Sequence, residues 1–142
     1  MGVLGAGQAQ ALVVTVNGQQ WDVTTFTGAY NANVSKFNTA ANGGTMPWWG
    51  NSTLANAFAT AVFNNLGTPN LQSPSDPRGP YFAHTAITLP ASLINSRVYR
   101  LIGNALINQS VPQSDTSRVW AEADLLSVPG PLPALGAAAA FG

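Results

Sequence analysis

The chain has 142 residues, with five Lys plus Arg, five Asp plus Glu, one His and no Cys. Only 7% of it is charged, against about 25% in an average soluble domain; five cations make no phosphate-binding stripe, which nearly excludes nucleic acid, and one His without Cys leaves zinc unsupported. A hydrophobic content of 46%, including four Trp, still supports one core of ordinary domain size, while the lack of Cys removes disulfides and thiol chemistry without fixing a compartment.

Residues 1–11 read MGVLGAGQAQA, uncharged, small and apolar. They close on Ala9-Gln10-Ala11, the small-x-small pattern of a signal-peptidase site, which predicts cleavage after Ala11. No basic residue precedes the apolar part, so the segment reads as the tail of a signal peptide whose start lies upstream. Residues 12–126 form the single globular domain, and 127–142 a Pro-rich linker with an apolar end.

Within the domain, Leu12 to Val16 and Gln19 to Phe26 are rich in Val, Thr, Trp and Phe and meet at Asn17-Gly18, which predicts a β-hairpin, since both turn positions need positive φ. In its second strand Trp21, Val23 and Thr25 share one face, and Asp22, Thr24 and Phe26 the other. From Gly28 to Gly50 the composition predicts a long loop with local order around Phe37; loops of that length in a small domain are often functional. Asn51 or Ser52 then caps a helix in which Leu54, Phe58, Val62 and Leu66 recur every fourth residue, its Asn and Thr side chains facing out, ended by Gly67 and Pro69. A surface loop follows to Pro80, then a strand over Tyr81–Leu89 stopped by Pro90. The stretch Ser92 to Ile107 fits a helix or two short strands; the β-branched residues favour strands around Val98–Ile102 with a turn at Gly103-Asn104. A last strand, Ser117–Leu126, places Val119, Ala121, Ala123 and Leu125 on one face. Arg118, Trp120, Glu122 and Asp124 fall on the other, predicted to be solvated. The sum is an α+β fold, a small antiparallel sheet with an N-terminal hairpin and one main amphipathic helix on its face.

After this strand come Val128, Pro129, Gly130, Pro131, Leu132 and Pro133, then Ala134 to Gly142. Three prolines in five residues exclude a helix there, and the apolar run of about nine residues is too short to span a bilayer, which takes about 20. The string VPGPLPALGAAAAFG resembles the C-terminal sorting signal of cyanobacterial PEP-CTERM proteins, in which a Val-Pro-Gly-Pro or Val-Pro-Glu-Pro motif precedes an apolar stretch and a cluster of arginines. No arginine cluster follows the motif here. The body is similar to uncharacterised exported cyanobacterial proteins with a Trp-Asp-Val-Thr-Thr-Phe segment, here from Trp21, and a Met-Pro-Trp-Trp-Gly segment, here from Met46. The resemblance implies export and sorting to the cell envelope and carries no activity with it.

The residues that could do chemistry are few. His84 is the single imidazole, set in an apolar strand without a Gly-x-Ser-x-Gly elbow to supply a nucleophile; a structural histidine is the expectation, a base of a small hydrolase the alternative. Glu122 and Asp124 lie two apart on one strand face, as a carboxylate pair or calcium site would need, or as a solvated face beside Arg118. Trp48 and Trp49 directly precede the helix. One reading has Trp48 fixing the helix entry while Trp49 fills the core. The other exposes one of them, with Tyr30 and Asn51, as a platform on which a sugar ring stacks. Thirteen Asn residues and a net charge of zero give a neutral surface that opposes lateral association weakly.

These features predict a non-catalytic exported protein of the cell envelope, cell surface or extracellular matrix, without cofactor or metal. Its expected partners are the export and sorting machinery and further copies of itself, with membrane contact only through the terminal apolar segments. The alternatives are a glycan-binding module using Trp48 or Trp49, and a small hydrolase using His84.

Overall fold

The computed structural model describes residues 12–69 and 77–126; the predicted signal-cleavage residues Ala9 and Ala11 and the sorting motif Val128 to Pro133 lie outside them. The chain forms β1 (Leu12–Val16), β2 (Gln19–Thr27), α1 (Ser52–Leu66), β3 (Phe82–Ile87), β4 (Leu93–Arg100), β5 (Ala105–Pro112) and β6 (Val119–Leu125). The fold is α+β, one helix with strands that pair antiparallel and begin with the hairpin. The strands divide into two three-stranded sheets rather than one, ordered β1-β2-β6 and β3-β4-β5.

The hairpin forms where expected: Val16 pairs with Gln19, and Asn17 and Gly18 take φ of 53° and 78°, the two positive angles of a tight turn whose twist matches its strands. Asn51 caps α1, its side-chain oxygen accepting the Leu54 amide at 3.0 Å, and Gly67 closes it. Ala55, Phe58, Ala59 and Val62 form the buried stripe. Two helix residues expected to face solvent are instead drawn inward: Asn56 accepts from Arg97 Nε at 2.5 Å, and the Thr60 hydroxyl lies 3.5 Å from that of Tyr99. Leu66, the last member of the predicted stripe, is exposed. Helix periodicity identifies a face but not which polar neighbours a second element will offer.

Between Ser92 and Ile107 the strand alternative holds, with longer strands than the sequence suggests. β4 runs Leu93–Arg100 and β5 runs Ala105–Pro112, joined by a turn in which Gly103 and Asn104 both take positive φ. Tyr81 links the sheets. Its amide donates to the Val119 carbonyl and its carbonyl accepts from the Ala121 amide, both at 2.9 Å, parallel to β6, while the next residue, Phe82, already pairs with Arg97 of β4. A single residue thus passes the chain from one sheet to the other. The helix packs against β1, β3 and β4, and one apolar core joins Val14, Val23, Trp48, Phe58, Val98 and Trp120 among others.

The polar face predicted for the last strand is not uniformly solvated. Trp120 is fully buried, its indole N–H donating to the Gly28 carbonyl at 2.9 Å, because the segment 28–50 folds over that end of the sheet. This segment contains three short 3-10 turns, Tyr30–Ala32, Val34–Lys36 and Ala40–Asn42. It is tied down along its length: the Asn31 amide donates to Gln113, the Ala123 amide donates to Thr45, and the Gly50 amide donates to His84.

Candidate functional site

The local order expected near Phe37 is an aromatic hub. Phe37 is buried and meets Phe26, Tyr30, Trp49 and Trp120 edge to face, with ring centroids 5.9, 4.9, 6.0 and 5.2 Å away. Such contacts add about 0.5–1.5 kcal/mol each beyond buried area. Of the four residues put forward as a sugar platform, Tyr30 and Trp49 therefore converge on one ring, both half-buried.

Trp48 does not join them. It is 0% exposed, wedged against Phe58 and Phe82 at 4.7 and 4.9 Å, so it offers no face to a ligand and the exposed-Trp48 platform is corrected. The structural reading also changes in detail: Trp48 fills the core and Trp49 lies at its margin. The two rings diverge on the turn that leads into the helix, where the Trp49 amide donates to the Met46 carbonyl and the Asn51 amide to the Trp48 carbonyl, and Trp48 takes the space between α1 and β3. The Trp48 indole N–H has no hydrogen-bond partner.

Asn51 stands at a different place, on an open cleft of about 200 Å³ between the hairpin turn and the first turns of the helix, lined by Asn17, Asn51, Thr53, Leu54 and Ala57. Its lining is uncharged, amides and a hydroxyl beside apolar carbon, which matches a neutral hydroxylated ligand better than an ion. A second hole, of about 20 Å³, is bounded by Leu12, Val23, Thr25, Val62, Leu66, Pro69 and Pro80. It has room for about one water and none for a substrate.

His84 sits at an irregularity in β3, between Ala83 paired with Ser96 and Thr85 paired with Asn95. The extra residue of such a bulge re-aims its side chain, a feature that β-alternation in the sequence could not reveal. The ring is 8% exposed. Its Nδ1 lies 2.8 Å from the Thr85 hydroxyl, whereas Nε2 is enclosed without a well-formed hydrogen bond. Burial pushes the imidazole below its ordinary value; the neighbouring Asn108 side chain acts in the opposite sense and the Arg97 charge adds to the lowering. The enclosed Nε2 therefore has no open approach in this conformation.

The acidic residues are dispersed among other contacts. Glu122 was expected beside Arg118; it pairs instead with Lys36 at 3.1 Å, the ammonium of which also lies 4.9 Å from the Phe26 ring. Arg118 bonds Asp115 at 3.0 Å and the Tyr81 hydroxyl at 2.9 Å. Burial raises Asp115, but bonds from Ser117 and Arg118 outweigh it and hold the carboxyl below the usual range. Asp124 lies directly opposite Asp22 across β2 and β6, and Asp22 Oδ1 is enclosed without a hydrogen-bond partner. Among the described residues no three His, Cys, Asp or Glu side chains gather as a metal site would require, and no helix is long and apolar enough to cross a membrane.

No protein-family model, curated protein or solved structure matches the chain.

Proposed function

We propose that this is a non-catalytic exported protein of the cell envelope or extracellular matrix that associates with copies of itself. The observation that carries the reading is the terminal sequence: Ala9-Gln10-Ala11 at one end and Val128-Pro129-Gly130-Pro131-Leu132-Pro133 with its apolar tail at the other, flanking a domain that contributes no processing pattern of its own. The economy of the ionisable groups supports it. Lys36 with Glu122 clamps the 28–50 segment to β6, Arg118 with Asp115 braces the loop before β6, Arg97 ties β4 to the helix, and His84 is enclosed, so these side chains serve packing. Cell fractionation with N-terminal sequencing tests the reading. The expected result is protein in the envelope or medium beginning at Leu12; protein confined to the cytosol with residues 1–11 intact overturns it.

A neutral glycan ligand is the second reading, favoured by the uncharged lining of the cleft at Asn17, Asn51 and Thr53. Calorimetric titration with a panel of neutral oligosaccharides, repeated on Asn17→Ala, decides it.

A further inference from the structure

The outermost strand of a sheet leaves amides and carbonyls unpaired along one side, and proteins blunt such edges with short strands, bulges, charges or covering chain. Of the four edges of the two sheets, three are blunted. Along β6 the Ala121 amide donates to Tyr81 and the Ala123 amide to Thr45, and the strand carries Glu122 and Asp124. β3 is interrupted at His84, whose carbonyl accepts the Gly50 amide. β1 has five residues, and because Val16 pairs with Gln19 across the tight turn, ladder alternation turns only Val13 and Thr15 outward.

β5 is different. It runs eight residues, Ala105–Pro112, without a charged side chain. The Gln113 amide donates to the Ser92 carbonyl, at the end of a register that sets Val111 opposite Ile94 and Ile107 opposite Val98. Odd-numbered residues therefore bond β4, and Leu106, Asn108 and Ser110 turn amide and carbonyl the other way. Among the described residues no backbone hydrogen bond reaches that outer side, where Asn108 and Ser110 are exposed. The outward series ends sharply in both directions. Pro112 has no N–H and its carbonyl accepts the Asp115 amide, while the Asn104 amide is spent on Leu101.

We propose that two copies of this chain join β5 to β5, antiparallel about a two-fold axis at Asn108, so that both β3-β4-β5 sheets merge into one of six strands. This register alone matches the three outward residues to themselves: Asn108 meets its own counterpart, and Leu106 and Ser110 meet each other, every pair exchanging both main-chain bonds.

Charge selects the occupant. A two-fold contact sets residues near its axis against their own copies, where a charged side chain repels itself, and β5 has none. The cation in the axial row is Arg97, opposite Asn108 on β4. Across the contact the two Arg97 residues stand three strand spacings apart, about 14 Å, beyond the screening length of about 10 Å at about 0.1 M salt. An uncharged edge whose free groups complement one another thus fits a second copy. The inference rests on the self-association in the proposed function and supplies its surface, a contact that closes at two copies.

The test uses the purified full chain, in sedimentation equilibrium over a concentration series and in hydrogen exchange of individual amides followed by NMR. The expected result is a monomer–dimer equilibrium that changes little with salt, in which the Leu106, Asn108 and Ser110 amides gain protection as the dimer forms. Ser110→Pro removes two of the six intermolecular bonds and is expected to raise the dissociation constant at least about tenfold. A proline whose missing N–H faces outward on an edge strand leaves the β4–β5 ladder intact, which circular dichroism checks. Ser110→Thr keeps the amide and is expected to dimerise as the native chain does. Should Ser110→Pro fail to fold, the protection of the three native amides carries the test alone. The inference is overturned by a chain that stays monomeric throughout the series, by growth past the dimer, or by dimerisation that ignores Ser110→Pro. Protection of the three amides at every dilution, the mark of cover by the chain's own residues, also overturns it. These measurements are made on purified protein, so each of those outcomes leaves the result of fractionation untouched.

Discussion

The amide of Gly50 donates to the carbonyl of His84 across 2.7 Å, which fastens the end of the long 28–50 segment to the irregular point of β3. A carbonyl freed from strand pairing by the bulge finds its donor in the residue that precedes the helix cap. Through this bond the loop, the helix entry and the second sheet share one anchor, and the imidazole beside it is enclosed as a result.

Acid is expected to unfold the protein through that imidazole. The folded-state value of His84 is depressed, so below the ordinary histidine range of about 6.5 the unfolded chain takes up a proton that the folded chain refuses. Stability is then complete above that range, declines as pH falls through it, and levels off below the folded-state value. Urea midpoints at successive pH values between about 8 and 4 measure the decline, and in His84→Gln the slope between pH 7 and 5 is expected to flatten.

The two adjacent tryptophans should separate sharply in cost. Trp48→Ala empties a fully enclosed site between Phe58 and Phe82 and is expected to lose about 3–5 kcal/mol. Trp49→Ala removes a half-buried ring with one edge contact to Phe37 and should lose well under half of that. Chemical denaturation of the two variants gives the comparison; equal losses would contradict the burial assigned to Trp48.

Gly44 has no room for a methyl group, since an added Cβ would meet the Asn38 carbonyl oxygen at 2.1 Å. That oxygen also accepts the Met46 amide, so the backbone cannot yield without breaking the turn that leads into Trp48. Gly44→Ala is expected to cost more than about 2 kcal/mol, in the range of strain plus a lost buried bond, whereas Gly43→Ala, strained only by its φ of 84° and clear of neighbours, should cost about 1–2 kcal/mol. Thermal unfolding of the pair checks the order.

Removing the helix cap should be milder. Asn51→Ala exposes the Leu54 amide without a side-chain acceptor and is expected to lose about 1 kcal/mol, while Asn51→Asp keeps the acceptor and adds charge at the favourable end of the helix dipole. A midpoint for the aspartate variant as low as that of the alanine variant would refute the capping role.

What the sequence reveals here is what short range decides. Asn17-Gly18 makes its turn from two residues, and Asn51 to Gly67 carries cap, stripe and stop within one helix, so both read directly. The division into two sheets depends on Tyr81 meeting β6, and the burial of Trp120 depends on Gly28 and Phe37, contacts between distant parts of the chain that no local period encodes. The aromatic site is only half legible for the same reason: Tyr30 and Trp49 converge through Phe37, while the choice of which tryptophan enters the core is made by the space between α1 and β3. The opposed aspartates Asp22 and Asp124 are invisible until strand register is known.

Because the central strand of the first sheet takes its second partner from β6, with Trp21 opposite Leu125, the whole stretch between those two residues must be made before that sheet can close. Until then the hairpin stands with one long edge unpaired, and two strands alone are marginal in water. Closure over such a sequence distance is slow, which leaves an interval in which the unpaired edge of the hairpin is open to capture by a chaperone.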